Sequence, residues 1–192
     1  PYVMQKHAPK SKIYGSNTMG HIMAAAVDKS RIVPLNDKMA RGDQPGEWQY
    51  NENRTIRIMA IKSTHAPHFM GVKIMGGTYE EDLEELPWHS FGWKEGQTLS
   101  FVIDFMDGDK VAYRTYYQDS ASEPGTGLMP IFPKEDRHRV DLTILCPAAF
   151  AQVDDYPESI LASTNPKQVL LGHWEDFFGN TEDIPSGHQD FI

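Results

Sequence analysis

A chain of 192 residues with 40% hydrophobic composition holds enough apolar material for one domain with a sizeable core, or for a large part of one. Its formal charge of −9, from 18 basic and 27 acidic residues with the basic ones unclustered, argues against nucleic acid or an anionic membrane surface as a partner. The longest purely apolar stretch, Ile22–Val27, is far short of the roughly 20 residues that cross a bilayer, which predicts no transmembrane segment. Cys146 is the single cysteine and forms no intramolecular disulfide; the first residue is Pro1 and no signal-peptide pattern follows, so a cytoplasmic or an exported location stays open.

Lys12–Tyr14 predicts a short strand ending at Gly15. Ser16 or Asn17 then caps a helix in which Met19, Ile22, Met23, Ala26 and Val27 keep the spacing of one buried face. Arg31–Leu35 predicts a second strand, stopped by Asn36-Asp37, and the polar stretch 36–54 a loop or weak hairpin. Thr55–Ser63 alternates Ile56, Ile58 and Ala60 with Arg57, Met59 and Ile61, the pattern of a largely buried strand. Residues 69–97 read as an insertion or lid, with Gly76-Gly77, a solvated acidic run from Glu80 to Glu85, and the aromatics Trp88, Phe91 and Trp93. The clearest hairpin is Leu99–Phe105, an Asp107-Gly108 turn and Val111–Tyr117, because Gly supplies positive φ without steric cost. A Pro- and Gly-rich loop follows. Asp141–Cys146 then predicts a strand halted by Pro147, Glu158–Thr164 a helix ended by Asn165-Pro166, and Gln168–Gly172 a last strand. This is a mixed α/β (α+β) pattern within one domain spanning 1–192.

Three residues with metal-ligating side chains each close one of these apolar runs: His65 after 56–64, Asp119 after 111–118 and His173 after 169–172. They are widely and evenly spaced, so only a fold that gathers strand ends along one edge brings them together. Two His and one Asp suit zinc, which takes imidazole nitrogen and carboxylate oxygen at about 2.0–2.2 Å. Other signatures fail: there is no Gly-x-Ser-x-Gly elbow and no P-loop, and Gly125-Thr126-Gly127 lacks the last Gly of a dinucleotide fingerprint, with Pro130 in its place. Cys146, at the end of a buried-looking strand, reads as a core residue.

The wording around the three residues is specific. Thr64-His65-Ala66-Pro67-His68-Phe69, Tyr117-Gln118-Asp119-Ser120 and Leu171-Gly172-His173-Trp174 resemble the third, fourth and fifth metal motifs of the metallo-β-lactamase-fold hydrolases, in the branch of the N-acyl-phosphatidylethanolamine phospholipase D-like enzymes. The family's first signature, His-x-His-x-Asp-His, occurs nowhere in the 192 residues. The resemblance therefore implies the C-terminal two-thirds of a four-layer αββα sandwich, its N-terminal part missing, with the exposed sheet covered by that segment, a second copy or a partner chain.

It further implies a binuclear site of two zinc ions, with Mn or Fe as alternatives. His65 would complete a three-His site, Asp119 would bridge the metals and act catalytically, and His173 would belong to the second metal. The activity implied is hydrolysis by a metal-bound hydroxide of an ester, amide, lactone or phosphodiester, in a small-molecule or lipid-like substrate. His68 is either an alternative ligand or a residue beside the site. His89, Trp88 and Trp93 would line a substrate pocket if 69–97 forms a lid. The alternative function is a degenerate, non-catalytic binding or assembly module. His7, His138 and His188 read as solvated, and His21 as a helix-surface residue.

Overall fold

The Leu99–Phe105 and Val111–Tyr117 runs form the centre of the molecule. In the computed structural model, which describes residues 1–67, 72–73, 75–148 and 150–173, they extend to β5 (Leu99–Asp107) and β6 (Lys110–Gln118). The turn between them falls on Gly108, with φ +58, and Asp109, one position later than the sequence suggests, because Asp107 pairs with Lys110 as the last rung. β4 (Ile56–Lys62) pairs antiparallel to β5 over its whole length. β7 (Leu142–Leu145) and β8 (Gln168–Leu171) then run parallel to β6, joined by the helix α3 (Glu158–Thr164). With the two-residue β3 (Gln49–Tyr50) at the far edge, the sheet has six strands in the order β3-β4-β5-β6-β7-β8. α3 stops where expected: Asn165 takes a left-handed C-cap conformation and Pro166 cannot continue the helix.

Strand alternation divides the sheet into two unlike faces. One carries Met59, Ile61, Val102, Tyr116 and Leu145, which pack with Phe132, Val140, Tyr156 and Ile160 into the main core beneath α3 and the loops before it. The same face holds a row of charge. Arg57, Asp104 and Arg114 are direct partners across β4, β5 and β6. Arg114 Nε and Nη2 donate to the two oxygens of Asp104 at 2.6 and 2.8 Å, and Arg57 Nε donates to the same carboxylate at 2.9 Å. Arg57 also reaches Asp136 at 2.8 Å and lies 4.0 Å from the Trp48 ring. Every charge in this buried row has a partner, as burial demands.

The opposite face meets a second, smaller sheet. β1 (Ile13–Gly15) and β2 (Ile32–Pro34) are parallel, and the connection between them carries the helix α2 (Asn17–Met23). Ser16 caps α2 by accepting from Met19 N–H. Tyr14 and Val33 of this pair, with Leu35 and Met39, pack against Ala60, Leu99 and Phe101. Beyond that cluster no described element covers this face, and Phe105, Tyr113 and Leu170 are exposed.

The architecture is thus a mixed α+β fold with a six-stranded sheet and few helices. Four local readings change. Residues 2–6 form a helix, α1 (Tyr2–Lys6), that the sequence pattern does not announce. α2 ends at Met23, leaving Ala26 and Val27 in a turn beyond it. The 36–54 stretch holds the weak hairpin expected of it, an antiparallel bridge between Arg41 and Gln44, and adds β3 and a bridge from Ala40 to Ile61. His138 is not simply solvated: its Nε2 lies 3.0 Å from Asp141 Oδ2. His68 and His188 lie outside the described residues.

Candidate functional site

Because β4 and β6 are both antiparallel to β5, and β7 and β8 are parallel to β6, the C-terminal ends of four strands share one edge of the sheet. In sheets of this kind ligands bind outside the carboxyl ends of strands. His65 follows β4 there, Asp119 follows β6, Cys146 follows β7 and His173 follows β8. One edge therefore receives all three residues singled out in the sequence.

Asp119 and His173 meet directly. His173 Nδ1 is 3.6 Å from Asp119 Oδ1 and 3.3 Å from the Asp119 main-chain oxygen. A carbonyl only accepts, so Nδ1 carries the proton and Nε2 is the nitrogen with the lone pair. His65 is set the same way: its Nδ1 lies 2.6 Å from the Ala66 carbonyl oxygen, which again leaves Nε2 as the acceptor nitrogen. An N–H held by a carbonyl on one side of the ring is the usual support of a metal-ligating imidazole. His173 also has φ +52, a left-handed backbone uncommon outside glycine.

His65 reaches the other two through the loops. β5 separates β4 from β6, yet Ala66 N–H donates to Ser120 Oγ at 3.1 Å, and Glu123 N–H donates to Thr64 Oγ1 at 2.8 Å. Beneath them Gln118 Nε2 donates to the Ser120 carbonyl at 2.9 Å, while its Oε1 lies 2.7 Å from the Tyr116 hydroxyl. That hydroxyl also touches the Gly127 carbonyl. Gly127 sits at φ +72, and a Cβ there would press on Ser63 Oγ and on the Gln118 amide at 3.1–3.3 Å. The site's floor is thus a buried polar stack that fixes the 118–122 turn.

Tyr117, Ser120 and Gln118 are the residues that motif reading alone does not single out. Tyr117 precedes Asp119 by two and so stands on its side of the strand. Its phenol is pushed up to about 12, first by burial and then by the neighbouring negative charge of the Asp119 carboxylate. The phenol therefore stays protonated beside Asp119. Cys146 is buried, with Sγ 3.6 Å from the His173 carbonyl oxygen, in keeping with a packing role.

The 75–97 segment is fastened to α2. Tyr79 N–H donates to Thr18 Oγ1, Leu83 N–H to the His21 carbonyl, and Asp82 pairs with both His21 (2.8 Å) and Lys29. His21 is therefore a tether rather than a bare helix-surface residue. Gln97 Nε2 then donates to the Ser63 carbonyl, two residues before His65. Trp88 is 91% exposed and stands edge-on to His89, which is also exposed; Trp93 donates to the Pro87 carbonyl. These three form one turn at the surface.

Asp119 and His173 lie side by side with His65 on the adjoining loop, and it is the proton-bearing Nδ1 of His173, not its Nε2, that faces Asp119. Among the described residues, no group of three or more His, Cys, Asp or Glu side chains is arranged to hold a metal ion. Among those residues, too, no helix is long and apolar enough to cross a membrane. Comparison with protein-family models, with curated proteins and with solved structures gives no match.

Proposed function

We propose that this chain contributes the strand-end half of a metal-dependent hydrolase of the metallo-β-lactamase type, acting on an ester, amide, lactone or phosphodiester in a small-molecule or lipid-like substrate. The observation that carries the reading is the shared sheet edge: His65, Asp119 and His173 follow strand ends there, with Asp119 and His173 3.6 Å apart. The packing of β1–β2 on one face of the large sheet, with α3 and the main core on the other, supports the αββα arrangement.

Asp119 and His173 would hold zinc, or Mn or Fe, with His65 beside them. The remaining ligands would have to come from a His-x-His-x-Asp-His segment, which these 192 residues do not contain. When bound, the metal lowers the pKa of water and stabilises a developing oxyanion. The chain's own residues do the positioning: the Tyr117 phenol stands by the Asp119 carboxylate, the two main-chain carbonyls fix the imidazole tautomers, and Ser120 joins the His65 loop to the Asp119 turn.

The test uses the intact protein, metal analysis and a panel of acyl-ester and phosphodiester substrates. Asp119→Ala is expected to lower metal content and to cut the rate by at least about 100-fold. Activity that survives both Asp119→Ala and a chelator would overturn the reading. The second reading, a degenerate non-catalytic binding or assembly module, draws on the open apolar face at Phe105, Tyr113 and Leu170; it predicts partner binding without turnover.

A further inference from the structure

We propose that the hollow between residues 129–140 and the C-terminal end of α3 binds an organic carboxylate with a short apolar chain. It lies at the N-terminal ends of β7 and β8, the sheet edge opposite to His65, Asp119 and His173, and stands independently of the hydrolase reading. It is a shallow, open hollow of about 500 Å³.

The lining has two halves. Met129, Ile131 and Phe132 supply an apolar wall, and Ile131 is 62% exposed, a large aliphatic side chain left to solvent. Arg137 and Arg139 supply the charge. Both arginines line the hollow, while the His138 ring between them turns to Asp141. Both are oriented by main-chain carbonyls: Arg137 Nε donates to Phe132 at 3.2 Å, and Arg139 Nε and Nη2 donate to Asn165 and Pro166 at 3.0 and 3.2 Å.

Among the described residues neither guanidinium has a carboxylate partner. The arginine ion pairs among the described residues belong to Arg57 and Arg114. Two acids close in sequence are engaged elsewhere: Asp136 holds Arg57 and the Trp48 indole, and Asp141 holds His138, Lys167 and the Arg114 N–H. In a chain of net charge −9, two oriented arginines without a carboxylate beside an exposed apolar wall select an anion. The planar, forked donors favour a carboxylate. The wall distinguishes an alkyl carboxylate from an inorganic ion.

The experiment is titration of the full chain with sodium octanoate, followed by calorimetry and by the methyl resonances of Met129 and Ile131. Saturable binding with Kd below about 1 mM is expected, with shifts confined to these methyls and their neighbours. Arg137→Gln with Arg139→Gln should weaken it about tenfold or more, and Ile131→Glu, at an exposed position that tolerates a polar side chain, should do the same if the double variant folds poorly. Octan-1-ol and inorganic phosphate should bind at least tenfold more weakly. Absence of saturable octanoate binding, equal binding of octan-1-ol or of phosphate, or unchanged affinity in the variants would each overturn the proposal.

Discussion

Asp119 takes its setting from neighbours on both sides of the chain. Its carboxylate lies near the Tyr117 phenol, and its main chain accepts from His173 Nδ1–H. Tyr117→Phe removes the hydroxyl while keeping the ring in place. If Asp119 is a metal ligand, the variant is expected to bind zinc about tenfold more weakly, the effect of losing a polar group behind a ligand, with unfolding free energy changed by less than about 1 kcal/mol. Competition with a chromophoric chelator and a urea titration measure the two quantities separately. A zinc affinity equal to that of the parent would remove Tyr117 from the site. The residue was within reach of the sequence, because strand alternation alone puts 117 and 119 on one side. Ser120 was not, since its bond to Ala66 joins loops that follow strands separated by β5.

At the scale of elements, β4, β5 and β6 are registered by a charge row. Asp104 is fully buried between Arg57 and Arg114, and its removal leaves two buried guanidiniums without their shared partner. Asp104→Ala is therefore expected to destabilise the fold by about 3–5 kcal/mol, seen as a lower urea midpoint. A loss below about 1 kcal/mol would show that water enters the row. Asp141 plays a related part where β6, β7 and β8 begin to run together. Burial pushes its carboxyl up, but Lys167, the Arg114 N–H and His138 outweigh this and hold it at about 2, below the ordinary 3.8. Ionisation is thus favoured in the folded state. The stabilisation is complete above about pH 4 and is lost as the pH falls from there toward 2. It amounts to roughly 1–2 kcal/mol, given that Lys167 is half exposed. Asp141→Asn should flatten that acid limb in urea titrations between pH 4 and pH 2, and an unchanged limb would assign the pH dependence to other groups. The hairpin, α2's cap and α3 were legible because each is written locally, in a turn glycine at 108 (one position off in register), a Ser cap and an Asn-Pro stop. β3 is too short for any period to show, and α1 has no side-chain cap. The Arg57–Asp104–Arg114 row depends on a register between strands distant in sequence, and His138 depends on Asp141 having been drawn inward by Lys167 and the Arg114 amide. Strand ends were predictable one by one; that four of them share an edge follows from β6, β7 and β8 running parallel, which alternation does not encode.

For the whole molecule, the open sheet face sets the clearest physical demand. Parallel strands are normally covered on both sides, since their connections and their apolar side chains fall on both faces. Among the described residues β1–β2 covers only the part around Ala60, Leu99 and Phe101, while Phe105 is 45% and Leu170 53% exposed on the same face. β8 adds an edge whose four residues are all exposed. An apolar face of this kind is expected to be covered by a further polypeptide segment, a second copy or a partner chain, the arrangement the resemblance also implies. The 192-residue chain on its own should therefore self-associate at tens of micromolar in sedimentation velocity and bind a hydrophobic dye. Phe105→Glu combined with Leu170→Lys should shift it toward monomer at little cost in stability, because both side chains already face solvent. A compact monomer that neither associates nor binds dye would mean that the face is tolerated as it stands. The two-sheet packing would then need no covering layer, and the likeness to an αββα sandwich would lose its structural support even with Asp119 and His173 side by side.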